Sequence, residues 1–261
     1  MAKLKTEIRT MVLEVLNQYG VKLKGEYDDS LLGAELLDIG STGRNTNAVG
    51  EGDFDFNLKL DAKDFSLVPQ IANEIRQRLG TEMTEAFIAP SDFNNNQLRF
   101  FGSNAFSQQG LDIDIGFVKK SDLNVYASHD ALADKLNNLL EKRGQKDYDE
   151  AIANILLAKK WLKEGGAYKK GNYGDGGLGG VGVENLILAH GGNLKQAFQA
   201  FYQATKNSDG SIKSYEEFKG SFKILDAGLN LRYNNHDNFT LNMNEAGYQK
   251  MLDVIQNHFA F

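Results

Sequence analysis

A chain of 261 residues with 41% apolar and 10% aromatic side chains can bury a substantial core as one large or two modest domains. The lack of cysteine excludes a disulfide framework, thiolate zinc sites and cysteine catalysis, and it suits a cytoplasmic setting. A net charge of −6 gives no global electrostatic footprint for nucleic acid, so an RNA substrate would need a local basic patch.

Leu4, Ile8, Met11, Val12, Val15 and Leu16 recur at helical spacing and predict an amphipathic first helix. Glu7, Arg9 and Glu14 interrupt that apolar stretch, which argues against a secretory signal, and no run elsewhere approaches a membrane span. Glu35 to Ile39 reads as a short strand entering the small-residue turn Gly40-Ser41-Thr42-Gly43-Arg44. Phe54 to Leu60 is a second strand and Leu67 to Leu79 a helix. Short strands follow over Met83 to Ile88 and Leu98 to Gly102, then a loop to Gly110 and an acidic strand from Leu111 to Val118. Beyond Ser121 the pattern turns helical, over His129 to Leu140, Tyr148 to Lys163, Val183 to His190, Leu194 to Thr205 and Glu245 to Phe259. The first 120 residues thus read as α/β and those beyond as helical, giving an α+β chain with domains over residues 1–120 and 121–261.

Two acidic pairs carry the chemistry: Asp53 and Asp55 in GDFDFNLKL, and Asp112 and Asp114 in LDIDIGFV. Residues i and i+2 of a strand share a face, so each segment has a carboxylate side opposed by Phe54 and Phe56, or by Ile113 and Ile115. Paired strands would gather these acids, and magnesium shared with substrate phosphates would offset their repulsion. Small residues at Gly40 and Ser41 let backbone amides approach a triphosphate, and Arg44 could add a charged fork. Taken singly, the acidic pairs also fit a solvated strand face or a charged edge, and the turn a plain loop; the conjunction is far more specific.

Other motifs say less. Gly174, Gly176 and Gly179 spell GxGxxG, but the stretch follows a helical segment, whereas a dinucleotide fingerprint follows a strand; a loop at the mouth of a site is the better reading. Asp209, Gly210, Ile212 and Glu216 resemble a calcium loop, yet Thr205 stands where its first aspartate is required. The four histidines show no zinc spacing.

The blocks Gly40-Ser41 with Asp53-Phe54-Asp55, the strand ending at Asp114, and Lys159, Tyr168 and Gly179 through Glu184 together resemble the class I branch of the DNA polymerase β-like nucleotidyltransferases, particularly the core of archaeal-type CCA-adding enzymes. A fainter echo lies in Leu225-Asp226-Ala-Gly and in Asn238 to Asn242, so the likeness spans nearly the whole chain. The resemblance implies a palm domain followed by a helical nucleotide-binding domain, and template-independent transfer of NMP from an NTP to a hydroxyl. It implies that Asp53, Asp55 and Asp114 hold two Mg²⁺ ions, while Gly40, Ser41, Arg44, Lys159 and Tyr168 bind the triphosphate. The acceptor could be an RNA 3′ end, another nucleotide, a small molecule or a protein side chain, and a non-catalytic nucleotide-binding module is the rival class. Archaeal CCA-adding enzymes carry further C-terminal domains that hold tRNA; the sequence stops at Phe261, so the core is expected without that handle.

Overall fold

Strict alternation of large apolar and polar residues shapes the first of two compact units, Met1–Leu123 and Asn124–Phe261. The computed structural model describes residues 2–24, 33–46, 54–79, 85–87, 95–100, 113–120, 125–126, 128–168, 176–230 and 238–259. The first unit contains, in order, α1 (Ala2–Gln18), β1 (Glu35–Ile39), the single helical turn α2 (Gly40–Gly43), β2 (Phe54–Leu60), α3 (Val68–Leu79), β3 (Glu85–Phe87), β4 (Asn95–Phe100) and β5 (Ile113–Lys119). The strands form a mixed sheet in the order β1-β2-β5-β4-β3, in which β2 and β5 run parallel and the other neighbours antiparallel.

Phe54, Phe56, Leu58 and Leu60 of β2 and Ile113, Ile115 and Phe117 of β5 are all buried. They form one core with Ile8, Val12 and Leu16 of α1 and Ile71, Ile75 and Leu79 of α3. Burying each of these side chains stabilises the unit by about 1.5–3 kcal/mol. Asp38 pairs in register with Phe56 and so shares its helix-facing side, where Lys5 and Arg9 of α1 reach it at 3.0 and 3.6 Å. This pairing explains how β1 carries an acid on its covered face.

The second unit contains β6 (Val125–Tyr126), α4 (Ser128–Arg143), α5 (Gln145–Glu164), α6 (Gly180–Ala189), α7 (Leu194–Ala204), α8 (Tyr215–Ser221), β7 (Leu229–Asn230) and α9 (Glu245–His258). Its core joins Leu132 and Leu136 to Ile155, Leu162, Ile187, Phe198, Phe201, Phe218, Tyr248 and Ile255. The caps are local: Asn193 accepts from Gln196 N–H, Asn244 from Gly247 N–H, and Ser214 forms a capping box with Glu217. Packing against α9 demands glycine at 247, because a methyl group there would lie 1.2 Å from the Gly176 carbonyl oxygen. No helix among the described residues is long and apolar enough to cross a membrane.

The molecule is thus an α+β protein with a mixed-sheet palm followed by a helical unit. Some details differ from the sequence expectation. The small-residue turn after β1 is one turn of helix, α5 begins at Gln145 behind Gly144 at φ 88°, and α6 begins on Gly180 rather than Val183. The short helix α8 and the two-residue pair β6–β7 were not anticipated.

Candidate functional site

On the parallel pair β2–β5, Asp55 stands opposite Asp114 and Asn57 opposite Gly116. The neighbouring phenylalanines and isoleucines occupy the helix-covered face, so Asp55 and Asp114 share the other and are half-buried there. Adjacent strands are about 4.8 Å apart, which sets the two carboxylates side by side. Such a pair repels unless it shares a proton or a cation. Glycine at 116 leaves space for the Asn57 amide on this face, since a Cβ would come within 2.4 Å of Asn57 Oδ1. On the other side of β5, the register puts Arg99 of β4 opposite Asp114. Hard carboxylate oxygens in adjacent positions fit magnesium by their donor chemistry. Asp53 and Asp112 lie outside the described residues, and no group of three or more acidic or histidine ligands gathers among the residues that are described.

Gly40 opens the helical turn that leaves β1, and Ser41 follows, half-buried. The Ser41 carbonyl accepts the Thr46 N–H at 2.8 Å and its hydroxyl at 3.4 Å, closing a tight loop. Asn45 turns the chain in the left-handed region at φ 58°, a conformation asparagine tolerates better than most residues. Arg44, which follows the turn, is 4% exposed and so is a buried charge. Residue 39, at the end of β1, is the register partner of Asp55, which brings the loop to the end of the sheet that carries the carboxylates.

The other expected residues belong to the helical unit. Lys159 of α5 is 1% exposed, and its ammonium bonds Glu184 of α6 at 2.6 Å. Both groups are thus buried as an ion pair, the arrangement that makes burial of either charge tolerable. Tyr168 follows α5, and Lys163 Nζ lies over its ring at 4.7 Å. A Cβ built on Gly180 would meet the Tyr168 hydroxyl at 2.8 Å and Lys159 Nζ at 3.7 Å, so both groups converge on the first residue of α6. The first N–H groups of a helix have no intrahelical acceptor and carry its positive end. Leu178 N–H bonds the Ala167 carbonyl at 2.9 Å, pinning the two ends of the glycine-rich segment beside this turn; Gly174 lies outside the described residues.

Two residues of the sequence blocks named above received no role from the sequence. Lys163 is half-buried, unlike Lys159, and its i+4 spacing on the same helix was the available signal. Glu184 was visible as the one acid in the apolar run Val181 to Leu188, a position that obliges a buried partner. The calcium-like loop spends its acids locally: Asp209 accepts from Ser211 N–H and hydroxyl, and Glu216 pairs with Lys219. Those bonds hold the Asp209 carboxyl below its ordinary value. A cavity of about 570 Å³ in the helical unit is lined by Lys135, His190, Phe222 and Asp226 among others. Burial pushes the Lys135 ammonium down, against the opposing pull of Asp226.

No family model and no curated protein matches this sequence. Solved structures do resemble it. A mutant of the Cid1 poly(U) polymerase bound to MgATP is 16% identical with a TM-score of 0.57, over 98% of this chain and 88% of that one. CdnC from E. coli MS115-1, in complex with HORMA-deltaN, is 14% identical with a TM-score of 0.55, over 98% and 81% of the two chains. The STING-associated CdnE c-di-GMP synthase from Capnocytophaga granulosa is 11% identical with a TM-score of 0.50, over 98% and 82%. At these identities the likeness is one of fold, a mixed-sheet unit followed by a helical unit.

Proposed function

We propose that this chain is a template-independent nucleotidyltransferase that moves a nucleoside monophosphate from an NTP to a hydroxyl acceptor. The observation that carries the reading is the in-register placement of Asp55 and Asp114 on parallel strands whose opposite faces are apolar and covered. Residues 1–120 serve as the catalytic domain and 121–261 as the helical nucleotide-binding domain. Asp53, Asp55 and Asp114 would hold two Mg²⁺ ions. Magnesium bound there would neutralise phosphate charge and ease ionisation of the attacking hydroxyl.

The attacking oxygen forms a bond to the α-phosphorus, and the bond to the leaving pyrophosphate breaks with its electron pair. Asp114 offers its carboxylate to the proton released by the hydroxyl. The family resemblance assigns Gly40, Ser41, Arg44, Lys159 and Tyr168 to the triphosphate. Tyr168, Lys163 and the first turn of α6, with Lys159 behind them, supply the positive wall of the helical unit. The likeness in fold to a poly(U) polymerase and to a c-di-GMP synthase supports this reading. An RNA 3′ end and a second nucleotide are accordingly the two leading acceptors. The finer likeness to CCA-adding cores rests on Lys159, Tyr168 and the run from Gly179 to Glu184. A nucleotide substrate and the absence of cysteine suit a cytoplasmic enzyme.

The test is pyrophosphate release with Mg²⁺ and each of the four NTPs, alone and with pooled RNA, with products resolved by mass. Release without RNA identifies a nucleotide product, and RNA-dependent release identifies terminal addition. Asp55→Ala and Asp53→Ala should abolish release, and full activity in either purified variant defeats the proposal. Binding of Mg-NTP with no release under any condition would instead favour a non-catalytic nucleotide-binding module.

A further inference from the structure

We infer that Glu184 is a positioning residue for the phosphate-binding end of the helical unit; this rests on the nucleotide-binding reading above. Three observations converge on it. The Lys159–Glu184 pair joins α5 to α6 at 2.6 Å with both side chains essentially out of solvent, so it links the two helices from inside the core. Lys159 Cε and Nζ stand 3.6 and 3.7 Å from the Cβ position of Gly180, which places the ammonium behind the opening residue of α6. The Tyr168 hydroxyl reaches the same point at 2.8 Å, and Lys163, one turn beyond Lys159 on α5, lies over the Tyr168 ring.

The groups that face a phosphate are therefore carried by two segments, the C-terminal end of α5 with Tyr168 and the first turn of α6. Glu184 joins them. A buried carboxylate holds the Lys159 ammonium charged and in one place; without it, the salt bridge between the two helices is lost and the α5–α6 register relaxes. A phosphate chain, which needs several donors aimed together, senses such relaxation far more than a nucleoside does. Glycine at 180 belongs to the same device, because any side chain there would displace the Tyr168 hydroxyl from the helix terminus. The pair thus sets the selectivity of this surface for the number of phosphates and leaves the base unread.

Binding of ATP and of AMP to the full chain, with Mg²⁺ present, tests the inference in the wild type, Glu184→Gln and Glu184→Asp, alongside thermal unfolding. The expected result is an ATP affinity at least about tenfold weaker in Glu184→Gln, an AMP affinity within about twofold of wild type, and partial recovery of the ATP-to-AMP ratio in Glu184→Asp. Parallel loss of ATP and AMP affinity, or a lower Tm with an unchanged ratio, would make Glu184 a structural buttress and overturn the inference alone. If Glu184→Gln does not fold, the ratio in Glu184→Asp decides: an unchanged ratio overturns the inference. A wild-type chain that binds neither nucleotide overturns the nucleotide-binding reading, and this inference falls with it.

Discussion

Replacing Asp55 by asparagine should make the palm unit more stable while removing its catalysis. Asp55 and Asp114 face each other across β2 and β5 on a half-buried surface. Two unit charges about 5 Å apart repel by roughly 1 kcal/mol in water and roughly 3 kcal/mol at the effective dielectric of a protein surface. Asparagine keeps the shape, removes one charge and relieves that repulsion, offset in part by the weakening of the other contacts of Asp55. The expected gain is about 1–2 kcal/mol, which raises the Tm of a unit this size by a few degrees. Mg²⁺ should act differently on the two proteins: stabilising the wild type, whose two carboxylates would hold it, and doing little for Asp55→Asn. Thermal unfolding followed by circular dichroism, with and without magnesium, reads both effects. An unchanged or lower Tm, together with an undiminished magnesium response in Asp55→Asn, would refute the reasoning that these carboxylates form a mutually repelling, cation-ready pair.

Lys159→Met should cost about 3–5 kcal/mol in denaturant unfolding because it removes the ammonium from a buried ion pair with Glu184, whereas Lys159→Met combined with Glu184→Leu should recover much of that loss. Gly247→Ala should fail to accumulate as folded protein or show a strongly depressed Tm, because the clash is with a backbone oxygen that no rotamer change can avoid. Burial raises the Tyr248 phenol from its ordinary value near 10 to about 12. Below pH 10 it is neutral in both states and its contribution is complete. Above that pH the unfolded chain ionises first, so up to roughly 3 kcal/mol is lost as the pH rises towards 12. Tyr248→Phe should therefore flatten the alkaline limb of a stability-against-pH curve, and a limb of unchanged slope would contradict this.

Legibility followed periodicity. Phe54, Phe56, Leu58 and Leu60 alternate so cleanly that the bounds of β2 and the face of Asp55 could be read directly, and Ile113, Ile115 and Phe117 did the same for Asp114. Helix α8 was missed because Tyr215 to Ser221 offers only two buried anchors, Tyr215 and Phe218, and contains Gly220. The strands β6 and β7 are held by a partner about a hundred residues away, a signal no local window contains. Lys159 could be picked out as a candidate charge, but its burial against Glu184 depends on how α5 meets α6, which is a property of packing and not of spacing. Arg44 teaches the same lesson: its type suits a phosphate fork, but its burial could not be read from the sequence.

The parallel pairing of β2 with β5 also has a kinetic consequence. Strands joined in parallel need a long crossover, and Asp55 meets Asp114 across roughly sixty residues that include α3, β3 and β4. Loop closure over that distance makes such a contact slow to form. During synthesis, α1, β1 and β2 emerge and can collapse together while the carboxylate face is still half absent. The surface that carries the proposed chemistry comes into being only when β5 is inserted between β2 and β4.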